Sequence, residues 1–205
     1  MNDPPPTHDR RFNPNNRSRL TDPDRLERWK PLRKLEQAGM RPGMKVLELG
    51  CGPGFWTAPI SQIITPQGQI AALDVSREML LSTLSHLDQP GRITAIQGEM
   101  PGIPILDGWA EFLWLAFIFH EVDHPEALAK ELYRVAAHGA RTAVFDWQKI
   151  KQSNDGPPSA HRFAADEVLS YLDSAGFINI TIRWQDPDAY LITADRAGGS
   201  HPAVI

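Results

Sequence analysis

At 205 residues, 41% hydrophobic and 22% charged, the chain has the size and composition of one globular domain with appendages, which excludes wholesale disorder. Its longest apolar run, Phe112–Phe119, is far short of the ~20 residues of a membrane span, Met1–Arg11 holds no apolar stretch for a secretory leader, and the lone Cys51 excludes an internal disulfide and fits a reducing cytoplasm. The formal net charge of −4 divides into +4 over residues 1–34 and −8 over the rest, and a body this acidic is a poor partner for nucleic-acid phosphates.

Residues 1–20, rich in Pro, Asn and Arg, bury too little to offset their ordering entropy and are expected as a flexible arm. The domain is expected over 21–196, with a short tail at 197–205. From Asp22, Leu26, Trp29, Leu32 and Leu35 recur at three-residue steps, a helical pattern that Pro31 should break in two and Gly39 should stop. Strand-like and helix-like segments then alternate. Strands are predicted over Lys45–Leu49, Gln69–Leu73, Arg92–Gln97, Glu111–Phe119 and Arg141–Asp146, with helices over Trp56–Ile64, Ser76–Leu87 and Pro125–Ala137. For the last helix, Asp123 and Glu126 offer a capping box, Glu126 and Lys130 an i,i+4 pair, and Gly139 a terminator. A final helix, Ala164–Ala175, precedes two strand-like runs, Phe177–Trp184 and Ala189–Ala194, which form a terminal hairpin at the sheet edge. The expectation is an α/β fold: a Rossmann-like, doubly wound, seven-stranded sheet, mostly parallel, with an antiparallel C-terminal hairpin strand.

The most informative segment is Val46-Leu-Glu-Leu-Gly-Cys-Gly-Pro-Gly-Phe55, a buried strand running into glycines at 50, 52 and 54. Glycines there let a ligand lie against the loop backbone. Glu48 sits at the strand's end, and Asp74, twenty positions beyond Gly54, ends the second strand, where a carboxylate can accept both hydroxyls of a ribose. Phe55 stands where a dinucleotide loop needs its third glycine, and no Lys-Ser/Thr pair follows for a phosphate loop. A glycine loop without phosphate-binding equipment but with two acids suits a cationic nucleoside, and S-adenosylmethionine is that ligand.

Glu48-Leu-Gly-Cys-Gly-Pro-Gly54 resembles the first motif of the class I S-adenosylmethionine-dependent methyltransferases, and the likeness runs from about Asp22 to Arg196. Ala72-Leu-Asp-Val-Ser-Arg-Glu-Met-Leu80 resembles the second motif and Gln97-Gly-Glu-Met100 the stretch after the third strand. Phe117-Ile-Phe-His-Glu-Val-Asp-His-Pro-Glu126 and Gly156-Pro-Pro-Ser-Ala-His-Arg162 are similar to the small-molecule branch near the ubiquinone/menaquinone methylases. Residues 138–147 resemble the fifth-strand signature, with His138 and Ala140 where Pro and Gly are usual. The resemblance implies a methyl transfer to a small-molecule acceptor. It implies that Glu48 faces the cofactor's ammonium, that Gly50, Gly52 and Gly54 admit its methionine part, that Asp74 takes the ribose, and that Glu99 and Met100 frame the adenine. Cys51, Val75 and Ala116 complete the expected cofactor contacts. Pro59 departs from the family pattern and implies a helix beginning near Thr57.

A methyl transfer aligned in line benefits from a base near neutrality. The catalytic candidates are His120 at the fourth-strand exit, Asp146 at the fifth, and His161 beyond it. His120-Glu-Val-Asp-His124 also spells H-E-x-x-H, but Pro125 prevents the helix that zinc ligation needs, so no metal is expected. The sequence around the fourth strand lacks the Asn/Asp-Pro-Pro-aromatic run of DNA amino-methylating enzymes, and Trp147 replaces the Asn of magnesium-dependent catechol enzymes. The arm Met1–Arg28 and the loop Gln148–Arg162 are the segments long enough to cover the site, which leaves open an N-terminal lid or a homodimer. Two further readings stay open: a methyltransferase-like binding or regulatory protein, and a nicotinamide-dependent reductase, which the glycine spacing opposes.

Overall fold

The computed structural model describes residues 20, 22–65, 67–85, 87, 92–150 and 156–199. The expected flexible arm therefore lies outside the described residues except for Leu20, as does the end of the tail. Seven strands form one sheet: β1 (Lys45–Leu49), β2 (Gln69–Asp74), β3 (Ile93–Gln97), β4 (Ala110–Ala116), β5 (Ala136–Trp147), β6 (Ile178–Gln185) and β7 (Ala189–Asp195). Their order is β3-β2-β1-β4-β5-β7-β6. The first five pair in parallel, while β7 lies antiparallel to both β5 and β6. The doubly wound sheet with its terminal hairpin is as expected.

The central strands are apolar on both sides because helices cover both faces. On one face Val46, Ile70, Trp114 and Phe145 pack with α2 (Pro31–Ala38), α3 (Thr57–Ile64) and α4 (Arg77–Ser85). On the other, Leu47, Leu73, Leu115 and Val144 pack with α5 (Pro125–Val135) and α6 (Ala165–Ser174). Alternation along β1 puts Glu48 on the same face as Val46, beneath α3.

Pro31 divides the N-terminal pattern as predicted: α1 (Asp24–Trp29) ends, Lys30 takes a left-handed conformation, and α2 begins at Pro31. The change of direction breaks the three-residue repeat, so Trp29 and Leu35 are buried whereas Leu26 and Leu32 are exposed. α3 starts at Thr57, which seats Pro59 in its first turn, as the proline implied. The start of α5 differs from expectation. Pro125 occupies the first helical position, so the cap falls at His124 and no Asp123 capping box forms. No ion pair joins Glu126 and Lys130 either. α5 also ends earlier, at Val135, and β5 begins at once with Ala136. Gly139 thus lies inside the strand, where the pairing of β4 with β5 slips between Ala110 and Phe112.

Candidate active site

The chain winds β1→β2→β3 to one side and β4→β5 to the other, so the C-terminal ends of β1 and β4 border the crevice where strand order reverses, the usual ligand position in such sheets. On the β1 side the glycine loop bends sharply: Gly50, Gly52 and Gly54 have φ of 65°, 54° and 97°. Side chains rarely adopt that region. The Gly50 and Cys51 N–H groups donate to Leu73 O at 2.8 and 3.1 Å, tying the loop to β2. A Cβ on Gly50 would collide with Ile118 at 2.1 Å, and one on Gly54 would stand 3.3 Å from the Thr83 backbone. Gly54 therefore serves loop-to-helix packing. Thr83, which the sequence reading missed, clamps the loop by donating to Gly52 O at 2.7 Å from the buried side of α4.

Two carboxyls meet this loop. Asp74 accepts from Gly52 N at 2.8 Å and from Ser76 N at 2.9 Å. Burial pushes its carboxyl above the usual range, against those N–H groups. Glu48 is 1% exposed, and its Oε2 has no hydrogen-bond partner. Burial, with the Asp74 charge, lifts its carboxyl to about 8 despite the neighbouring Thr57 hydroxyl. The Cys51 thiol lies in the core, and burial with the two carboxyls pushes it up, which suits a packing residue. Val75 is 46% exposed at the β2 exit, Ala116 is nearly buried at the end of β4, and Gly98 N donates to Asp74 O at 3.1 Å. That bond brings the Gly98-Glu99-Met100 turn beside Asp74, with Glu99 exposed and Met100 half-buried.

Across the crevice, His120 and Asp146 form a buried pair. His120 Nδ1 lies 2.7 Å from Asp146 Oδ1, and the N–H groups of His120 and Trp147 donate to the same carboxylate at 3.1 and 2.7 Å. With Nδ1–H donated to Asp146, Nε2 carries the lone pair. Burial alone would lower the imidazole, but the charge and hydrogen bond of Asp146, helped by Glu121, hold it above its ordinary value, while Arg162 opposes them. His161, in a one-turn 3-10 helix, Ser159–His161, does not join this pair. His120 and His124 do not share a helix, since the chain is extended at Val122, and among the described residues no group of His, Cys, Asp or Glu is arranged to hold a metal.

Aromatic rings gather on the opposite face of β5, the one that carries Phe145 and Trp147, whereas Asp146 points with Val144. Trp29, buried on α1, lies 5.0 Å from Phe117, 5.4 Å from Phe145 and 5.5 Å from Trp147 between ring centroids. Arg28 covers Trp29 and reaches Asp188 at 2.9 Å. Nearer the glycine loop, Arg25 lies over Phe55, and a Cβ added to Gly52 would meet the Leu20 side chain at 3.8 Å. Arg162, only 2% exposed, donates to Gln148 O and Pro157 O and lies over Trp147, fastening the returning loop to the β5 exit. Gly156 permits this approach, for a Cβ there would strike the Trp147 ring at 2.8 Å.

Comparison with known proteins agrees with this geometry. Residues 46–139 match a family model described as a methyltransferase domain. A ubiquinone/menaquinone biosynthesis C-methyltransferase, UbiE, of Shewanella woodyi is 31% identical over 126 residues, 60% of this chain and 50% of that protein. The UbiE of Burkholderia vietnamiensis is 27% identical over 182 residues, 83% and 72% of the two chains. The chain thus spans about half the length of the Shewanella relatives it matches. The crystal structure of an S-adenosylmethionine-dependent methyltransferase from Aquifex aeolicus superposes with a TM-score of 0.82 at 30% identity, covering 90% of this chain and 99% of that one. The [4+2]-cyclase SpnF shares the fold alone, with a TM-score of 0.68 at 18% identity. With near-complete coverage of the Aquifex enzyme added to the glycine loop and its two acids, the chain belongs to the class I S-adenosylmethionine-dependent methyltransferases.

Proposed function

We propose that the protein transfers a methyl group from S-adenosylmethionine to a small-molecule acceptor without a metal. The observation that supports this most is the pair of carboxyls at the glycine loop, Glu48 with a buried oxygen lacking a partner, and among the described residues no cation acting on either. That donor set fits a nucleoside carrying an ammonium and repels a pyrophosphate. Glu48 would hold the ammonium, Asp74 the ribose hydroxyls, Val75 and Met100 the flat faces of the base, and Glu99 its edge. When bound, the cofactor supplies an electrophilic methyl group on a sulfonium.

His120 Nε2 is the base that takes the acceptor's proton, and Asp146 holds the ring in the required tautomer and stabilises the imidazolium. The UbiE relatives make quinone precursors the first class to screen, and the acidic body argues against a nucleic-acid substrate. Leu20 and α1 lie over the crevice within one chain, which favours a lid from the N-terminal segment over one from a second subunit.

The test is transfer of labelled methyl from S-adenosylmethionine to a panel of hydroxylated aromatic and quinone precursors. Turnover that disappears in His120→Ala supports the reading. Cofactor binding with no transfer to any small molecule, and none to cell extract, would reassign the protein as a binding or regulatory module.

A further inference from the structure

Three polar side-chain atoms lie buried without a hydrogen-bond partner in one neighbourhood: Glu48 Oε2, Trp56 Nε1 and Trp114 Nε1. Glu48 and Trp114 are register partners on β1 and β4, so their side chains share a face of the sheet. The Trp56 and Trp114 rings are 4.9 Å apart, and Thr57 neighbours Glu48 from α3. Buried polar atoms are normally satisfied, so a group of three marks a place built for something polar to arrive.

The group is also electrically one-sided. The groups that act on Glu48 are the Asp74 carboxylate on β2 and the Thr57 hydroxyl on α3, and Glu48 in turn acts on the Cys51 thiol in the loop. Among the described residues, none of the groups acting there is a cation. An ionised Glu48 would be an isolated buried anion beside a second carboxylate, a strongly disfavoured arrangement.

We propose that Glu48 holds a proton in the free protein and releases it to solvent when the ammonium of an amino-acid-bearing nucleoside docks against its carboxyl. This rests on the reading of the crevice as a nucleoside site and adds to it a linkage: the ammonium is recognised by proton exchange rather than by a preformed anion. The O–H bond of Glu48 breaks, its proton passes to buffer, and the carboxylate left behind accepts from the incoming N–H groups. Near neutral pH, binding then gives off one proton and strengthens as the pH rises.

Titration calorimetry of the full chain at pH 6.5, in two buffers of different ionisation enthalpy, counts that proton. S-adenosylhomocysteine carries the ammonium. 5′-Methylthioadenosine lacks it but keeps the ribose, and so controls for any proton on Asp74. The expected result is close to one proton released with the first ligand and none with the second, with affinity for the first rising about tenfold between pH 6 and 7. Glu48→Gln should abolish both the release and the pH slope, and should weaken S-adenosylhomocysteine roughly 10- to 100-fold. Should that variant fail to fold, the two ligands compared on the unaltered chain still decide. Equal proton counts for the two nucleosides, or release that persists in Glu48→Gln, would overturn the proposal and leave the nucleoside site standing. Failure of both nucleosides to bind would overturn the two together.

Discussion

The two banks of the crevice solve the burial of charge in opposite ways. On the β4–β5 bank, Asp146 receives the His120 ring and two backbone N–H groups, and Arg162 is fastened to carbonyls and stacked on Trp147. On the β1–β2 bank, Asp74 has backbone donors while Glu48 Oε2 has none, and among the described residues no cation compensates either acid. A compensated pair is pre-organised, ready to move a proton without rearranging. An uncompensated acid stores a demand that a cationic ligand meets. On the proposed reading, the contrast gives chemistry to one bank and cofactor capture to the other.

The contrast breaks most visibly at His120. His120→Ala should lower kcat roughly 10²- to 10⁴-fold while leaving cofactor affinity nearly unchanged, as steady-state kinetics and calorimetry would show. Loss of both together would mean the banks are not separate. Asp146→Asn sharpens the same point through pH. Asp146 raises the imidazole, so its removal should move the rising limb of the kcat/KM profile to lower pH, together with a lower plateau.

Next in size is Trp29→Ala, which empties a site among Phe117, Phe145 and Trp147 and should cost about 3–5 kcal/mol in denaturant unfolding. Glu48→Gln should act in the opposite direction. The folded-state carboxyl near 8 lies above the unfolded 4.5, so its protonated form favours the fold at low pH. That contribution is lost as the pH climbs from about 4.5 to about 8. The variant should therefore gain on the parent by about 2 kcal/mol between pH 5 and 7, as paired denaturation curves would reveal. The smallest effect belongs to Arg28→Ala. Its ion pair with Asp188 is partly exposed and should contribute under about 1 kcal/mol, whereas acceptor KM should rise if α1 forms the lid.

Much of the cofactor bank was legible in the sequence because its signal is local: a strand, alternate glycines and an acid at a fixed distance. The break at Pro31 and the late start of α3 were legible for the same reason, since proline constrains its own neighbours. The acceptor bank was legible only in part. His120 and Asp146 could be named as candidates, but 26 residues separate them and only the pairing of β4 with β5 brings them together. Thr83 carried no pattern at all, and Arg162 only its place in the 156–162 run, with no role attached. Each clamps through one backbone carbonyl or two, and which carbonyls come within reach depends on the folded loop. Gly139 misled because glycine usually stops a helix, yet here the strand begins three residues earlier and absorbs it as an irregularity.

The most direct test is a crystal structure of the protein grown with S-adenosylhomocysteine. Ribose hydroxyls on the Asp74 carboxylate, with the amino-acid end against the Gly50–Gly52 backbone and the Glu48 carboxyl, are the predicted result. The same ligand bound away from the β1 exit, or seated there with its ammonium remote from Glu48, would contradict it.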